Sequence, residues 1–88
     1  MIEAKRHPEA TAWLAHFYRV ARKSAWRGLH EVRLQFPSAD QVGNVLIFDV
    51  LGTKYRLITT VSYKRQSVFI KVLLTHREYE RKEWMKWA

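Results

Sequence analysis

The sequence predicts an α+β fold with two N-terminal helices, an antiparallel β meander of at least three strands and a C-terminal helix. Apolar residues recur at helical spacing in the first part of the chain, and three runs rich in β-branched and aromatic residues follow, joined by short turns. A Thr-x-x-Glu pattern at Thr75 then begins the last helix. Because the chain has 88 residues, we expect one domain over residues 1–88.

The first helix is predicted over residues 9–23, with Pro8 at an early position where its missing N–H costs nothing. Basic residues fill its last turn, which suits the negative end of the helix dipole. We expect His16 on this helix to be solvated or packed rather than catalytic. The apolar stripe that defines the helix comprises Trp13, Leu14, Phe17, Tyr18, Val20 and Ala21.

The second helix is predicted to be shorter, because Gly28 precedes it and Pro37 ends it. Leu29, Val32 and Phe36 would face inward. Residues 36–40 are predicted to form a turn, and Gly43-Asn44 a second turn before the sheet begins.

Three strands are predicted over residues 45–51, 54–63 and 67–74. Alternation places Phe69, Lys71 and Leu73 on one face of the third strand. If Arg56 on the second strand shares a face with Lys71, the sheet would carry a cationic spot near residue 76. The alternative is that both are solvated charges on the sheet, and the sequence leaves this open because it does not fix the register.

The last helix is predicted over residues 76–87, so His76 lies at a strand-to-helix junction where packed elements on both sides limit its motion. Tyr79 follows one turn later on the same helix face. Trp84 and Trp87 are separated by about one turn and are expected to cover the sheet. We interpret them as part of the core or of a partner surface in preference to a platform on which nucleobases stack.

The charge of the chain favours a polyanionic partner. Lys and Arg number 16 and Asp and Glu number 8, which gives a net charge of +8 and a sequence pI near 10.2. Basic side chains attract nucleic acid without specifying its sequence, although a merely solvated basic surface would have the same composition. An amphipathic membrane binder that uses Trp84 and Trp87 is a further alternative, which the even spread of charge disfavours.

The chain has no cysteine, which excludes disulfides, cysteine-based metal sites and thiol nucleophiles. We expect neither a cofactor nor a metal ion. The amino terminus lacks the pattern of a signal peptide, and no apolar run approaches the length of a membrane span. A soluble, cytoplasmic protein is therefore expected.

One histidine stands beside several cationic and phenolic side chains in the C-terminal part of the chain. Metal-free RNA cleavage requires a proton acceptor for the 2′-hydroxyl, a proton donor and cations around the phosphate. His76, Tyr79, Arg56 and Lys71 supply those functional groups. The same groups near one another occur in many other proteins, so the chemistry alone leaves the function open.

Four sequence blocks occur in order along nearly the whole chain. They are Phe36-Pro37-Ser38-Ala39-Asp40-Gln41-Val42-Gly43-Asn44, Lys54-Tyr55-Arg56-Leu57, Tyr63-x-Arg65-Gln66-x-Val68-Phe69-Ile70 and Thr75-His76-x-Glu78-Tyr79. Together they resemble the HigB toxins, a branch of the RelE-like group of bacterial toxin-antitoxin systems. The resemblance implies the small RelE-type α+β domain and a metal-independent endoribonuclease, or mRNA interferase, that cuts mRNA on translating ribosomes and inhibits growth.

The resemblance also implies roles for individual residues and partners. His76 would be the general acid or base, Tyr79 would orient groups or transfer a proton, and Arg56 and Lys71 would stabilise the phosphate. The partners would be a HigA-type helix-turn-helix antitoxin and mRNA on the ribosome, with contacts to ribosomal RNA. Further RNA-binding side chains would be Lys54, Lys64, Arg65 and Arg77.

Two features depart from the family pattern. Relatives usually have Asp after the tyrosine, where this chain has Glu80, and they usually begin with a short strand ahead of the first helix, where this chain has Met1 almost directly before it. Loss of that strand would strip packing from the core or expose a sheet edge. The alternative function is therefore a catalytically inactive, basic RNA-binding or interaction module of the same fold.

Overall fold

The computed structural model describes residues 7–88 and has the predicted α+β architecture. A 3-10 turn (Pro8–Ala10) leads into α1 (Thr11–Lys23), and α2 (Leu29–Gln35) follows. The sheet is antiparallel with strand order β1-β2-β3-β4. Its strands are β1 (Asp40–Val42), β2 (Val45–Val50), β3 (Tyr55–Ser62) and β4 (Ser67–Thr75), after which come α3 (His76–Glu80) and a 3-10 segment (Glu83–Trp87).

The two helices cover one face of the sheet with an aromatic core. Phe17 from α1 lies 4.7 Å from Phe48 of β2 between ring centroids, and Phe36 after α2 lies 5.2 Å from the same ring. The hydroxyl of Ser24, which caps the end of α1, donates to Val20 O and to Gln35 Oε1 and so links the two helices. Burial of large apolar side chains is the main source of stability in so small a protein.

The opposite face of the sheet has a second apolar cluster, formed by Val45, Ile47, Ile58 and Trp84. Trp84 comes from the C-terminal 3-10 segment and is only 5% exposed. The prediction that Trp84 covers the sheet is confirmed. The C-terminal segment therefore forms a third layer, and it brings α3 against this face.

Strand β1 was not predicted: Asp40 lies in the predicted turn over residues 36–40, and Gln41 and Val42 were assigned to no element. Asp40 to Val42 pair with Ile47 to Val45, and the connection is a two-residue turn in which Gly43 has a positive φ of 57°. Gly-Asn suits such a turn because glycine adopts positive φ without steric cost. A strand of three residues is too short to show an alternating pattern, so the sequence did not reveal it.

The predicted common face holds for Phe69 and Lys71, but the prediction is wrong for Leu73, which lies on the opposite face. Pairing between β3 and β4 steps from Ile58↔Val72 to Thr59↔Ile70, which leaves Lys71 as an extra residue in a β-bulge. Leu73 is fully buried in the helix-side core. Phe69, which alternates with the helix-facing residues on either side of it, lies on the other face and is 62% exposed.

The prediction of one continuous helix over residues 76–87 is also wrong, because α3 ends at Glu80 and Lys82 has a positive φ of 59°. In a continuous helix, Tyr79 and Trp84 would point about 140° apart. The break instead allows their rings to stack, with centroids 5.3 Å apart, and Trp84 Nε1 to donate to Tyr79 O at 3.0 Å. Burial of Trp84 thus accounts for the end of the helix.

Residues 1–6, where the first strand of HigB relatives would fall, lie outside the described residues. In the part of the chain from His7 onward, none of the helices is long and apolar enough to span a bilayer.

Candidate active site

The candidate site lies where β4 ends and α3 begins. Thr75 caps the helix: its Oγ1 accepts from Glu78 N at 3.2 Å, while its own N–H donates to Glu78 Oε1 at 3.0 Å. This reciprocal capping box confirms the pattern read from the sequence. Since Thr75 also pairs with Tyr55 of β3, the first turn of α3 is anchored to the sheet.

His76 is the first residue of α3, and its side chain is 58% exposed. Its Nε2 lies 2.8 Å from Glu80 Oε1, one helical turn along. A carboxylate accepts hydrogen bonds and does not donate them, so this contact places a proton on Nε2. Nδ1 is then the imidazole nitrogen that is left to accept a proton from a substrate or to donate one to it.

Arg56 projects from β3 beside this junction and is held by three oxygen atoms. Its Nε lies 3.0 Å from Asp49 Oδ1, and one terminal nitrogen donates to the carbonyl oxygens of Thr53 at 2.9 Å and Tyr55 at 3.3 Å. Asp49 is its cross-strand neighbour on β2. Because the Arg56 side chain is only 14% exposed, the guanidinium is a cation fixed in position.

Tyr79 connects Arg56 to the C-terminal segment. The Arg56 guanidinium carbon lies 5.4 Å from the centroid of the Tyr79 ring, which is the distance of a cation–π contact. The nearly parallel stack with Trp84, at an interplanar angle of 3°, holds the phenol from the core side. Tyr79 is therefore half-buried and has little rotational freedom.

Three of the four predicted catalytic residues, namely His76, Tyr79 and Arg56, are brought to one end of the sheet. Lys71 lies on the same sheet face but about 10 Å along β4 from Leu74, the residue that pairs with Arg56. The Lys71 Nζ is instead 5.9 Å from the centroid of the Trp87 ring.

The predicted RNA-binding side chains fall at two ends of the β3–β4 hairpin. Arg77 is exposed in the first turn of α3, and Lys54 is exposed just before β3, with Nζ 5.5 Å from the Tyr55 ring. Lys64 and Arg65 are exposed in the turn that joins Ser62 to Ser67, at the far end of the hairpin. Those two side chains begin about 23 Å from the candidate site.

Two residues of the site were not singled out from the sequence. Asp49 neutralises Arg56, and the only signal for it would have been the cross-strand register of β2 and β3. Glu80 was noted only as a departure from the family pattern, although its spacing of four residues from His76 in a helix is a recognisable signal.

A separate cleft of about 450 Å³ lies between α1 and the far ends of β3 and β4. Tyr63 lines it, and burial raises the pKa of this phenol above its usual value. The Tyr63 hydroxyl donates to Gln41 Oε1 at 2.7 Å, so it serves to join β3 to β1.

A family model for HigB_toxin, the RelE-like toxic component of a toxin-antitoxin system, matches residues 10–82. The chain belongs to the HigB toxin family. Its α+β architecture is consistent with the RelE-like fold, and the protein is thus a toxin of a toxin-antitoxin system, which implies an antitoxin partner. All eight candidate side chains of this HigB-family protein fall within the matched residues. Comparison with curated proteins gave no match.

Within residues 7–88, no group of three or more His, Cys, Asp or Glu side chains is placed to hold a metal ion. The described part of the site thus consists of a histidine, a phenol and a guanidinium, with carboxylates bound to two of them.

Proposed function

We propose that this HigB-family toxin is a cytoplasmic, metal-independent endoribonuclease that cleaves mRNA on the ribosome, inhibits translation and growth, and is neutralised by a HigA-type helix-turn-helix antitoxin. The observation that supports the proposal is the contact between Arg56 and Tyr79 at the end of the sheet where His76 begins α3. Family membership supports mRNA cleavage in general.

The proposed reaction is attack by the 2′-hydroxyl of one nucleotide on the adjacent phosphorus. The bond between O2′ and phosphorus forms while the bond between phosphorus and O5′ breaks, which leaves a 2′,3′-cyclic phosphate and a 5′-hydroxyl. A base takes the proton from O2′, an acid gives one to O5′, and a cation stabilises the negative charge on the phosphate oxygens.

His76 is the proposed acid–base group. Glu80 accepts the hydrogen bond from Nε2 and orients the ring, which leaves Nδ1 to exchange a proton with the reacting oxygen. The capping box restricts the backbone from which the ring projects. A catalytic group gains from such restriction because less motion is lost when the substrate binds.

Arg56 is the proposed phosphate-stabilising cation, and Tyr79 the group that orients the nucleotide or transfers a proton. The guanidinium has a second terminal nitrogen besides the one bound to Thr53 and Tyr55. Positioning before substrate binding makes a cation effective in a transition state, since no reorganisation is needed at the moment of reaction.

The remaining cations have proposed binding roles. Lys71, Lys54 and Arg77 would bind phosphates that flank the scissile one. Lys64 and Arg65, at the far end of the β3–β4 hairpin, are suited to ribosomal RNA rather than to the cleaved nucleotides.

A second candidate function is a catalytically inactive, basic RNA-binding or interaction module. The observation that favours it is the ion pair of Arg56 with Asp49, which already neutralises the best-placed cation. In this alternative the site residues stabilise the fold, and the net charge of +8 supports binding alone.

Induced expression in bacteria distinguishes the two functions. The unsubstituted chain is expected to arrest growth and to create new mRNA 5′ ends inside translated regions, whereas His76→Ala abolishes both. His30→Ala is the matched control, because His30 is exposed on α2, on the other side of the sheet. Expression of a folded, unsubstituted chain that neither slows growth nor creates 5′ ends would favour the inactive module.

A further inference from the structure

Beside the candidate site, aromatic rings alternate with lysines on the sheet face that carries Tyr79. This aromatic strip consists of Phe69, Lys71, Lys86 and Trp87. Lys86 and Trp87 lie beyond residues 10–82, the span that the family model matches. The strip therefore combines residues inside the matched span with residues that follow it.

Trp87 is the centre of the strip. Lys86 Nζ lies 4.9 Å and Lys71 Nζ 5.9 Å from the centroid of its ring. One edge of Trp87 packs on the cluster around Trp84, and the residue remains half-exposed. The indole is thus held in place from the sheet side while part of its surface is open to solvent.

Strand β4 supplies the other two residues of the strip, Lys71 and Phe69, and Lys71 is the residue of the β-bulge. The extra residue turns the Lys71 side chain toward Trp87, and Phe69, about 7 Å earlier along the strand, presents its ring on the same sheet face. Phe69 is 62% exposed. Burial in the core therefore does not explain an aromatic residue at this position.

We propose that the aromatic strip binds single-stranded RNA, with nucleobases stacked on Trp87 and Phe69 and phosphates bound by Lys71 and Lys86. Stacking on aromatic rings tolerates any base, and lysines between the rings follow the phosphate backbone. Among the described residues, this combination favours RNA over an apolar protein surface, which would leave the lysines without counter-charges. That these nucleotides flank the cleaved one rests on the proposed function.

The test uses the full chain and a short, fluorescently labelled single-stranded RNA that carries 2′-O-methyl groups, which block attack by the 2′-oxygen. Fluorescence anisotropy measures its affinity for the unsubstituted chain and for Trp87→Ala, Trp87→Phe, Phe69→Ala and Leu34→Ala. Leu34 is the matched control, since it is 72% exposed on α2 and lies outside the strip. Thermal unfolding by circular dichroism shows that each variant is folded.

We expect Trp87→Ala and Phe69→Ala to weaken binding by about tenfold each. Trp87→Phe retains a ring and is expected to bind more tightly than Trp87→Ala, and Leu34→Ala to bind like the unsubstituted chain. Absence of binding by the unsubstituted chain would overturn the proposal, as would equal affinities for Phe69→Ala and Leu34→Ala. The outcome is separable from the proposed function, because the RNA is not cleaved in this assay.

Discussion

The Arg56 guanidinium lies 5.4 Å from the centre of the Tyr79 ring, and this contact joins strand β3 to the short helix that begins with His76. Asp49 fixes Arg56 from β2, and Trp84 fixes Tyr79 from the C-terminal segment. The candidate catalytic groups are therefore held by residues on four different elements.

Substitution of Asp49 by alanine should destabilise the protein. Arg56 would remain largely buried without its carboxylate partner, and we expect the free energy of unfolding to fall by about 1–3 kcal/mol. Urea unfolding measures the change. Asp40→Ala is the control, because the Arg33–Asp40 contact is longer, at 3.7 Å, and exposed, and its loss should cost less than about 1 kcal/mol. Equal effects of the two substitutions would contradict the role given to Asp49.

Glu80→Ala should lower the rate of RNA cleavage by about tenfold without changing RNA affinity, because the imidazole would lose the acceptor that orients it. Single-turnover cleavage and equilibrium binding separate the two effects. Glu9, exposed at the start of the chain, provides the control Glu9→Ala. A Glu80→Ala variant that cleaves at the unsubstituted rate would show that the contact to His76 has no part in catalysis.

Trp84→Ala should lower the free energy of unfolding by about 3–5 kcal/mol, since it removes a large buried side chain from the second apolar cluster. It should also release Tyr79, which stacks on it. Urea unfolding tests the first effect, with Leu34→Ala, expected within about 0.5 kcal/mol of the unsubstituted chain, as control. If Trp84→Ala lowered the free energy of unfolding no more than Leu34→Ala, the C-terminal segment would contribute little to the stability of the fold.

Tyr63 should make stability depend on pH in the alkaline range. Burial raises the pKa of its phenol above 10.0, so the folded state retains this proton after the unfolded state has lost it. The contribution is complete below the unfolded pKa and is lost as pH rises through the folded one. Urea unfolding from about pH 9 to about pH 11 should show a smaller decline for Tyr63→Phe than for the unsubstituted chain. The same decline in both chains would contradict this assignment.

The sequence predicts those features that depend on short-range patterns. The capping box at Thr75 and the apolar stripe of α1 are local. The capping box occurs where the pattern places it, and so does the stripe except for Tyr18, which is 51% exposed. The order of the three long strands follows from short turns between them.

Features that depend on tertiary packing were missed. The third predicted strand is apolar on both faces, so alternation did not reveal the bulge at Lys71. The end of α3 at Glu80 is set by burial of Trp84 against strands that are distant in sequence. In the site, His76 and Tyr79 were predicted because they share a helix, whereas the Asp49–Arg56 pair depends on a register that only the fold determines.

The central claim is that His76 acts in RNA cleavage, and its most direct test is cleavage of an mRNA on translating ribosomes by the purified chain. The unsubstituted chain and His30→Ala should yield fragments with 2′,3′-cyclic phosphate and 5′-hydroxyl ends. His76→Ala should reduce the cleavage rate by about 100-fold or more. Cleavage by His76→Ala at the unsubstituted rate, or fragments with 5′-phosphate ends, would contradict the account.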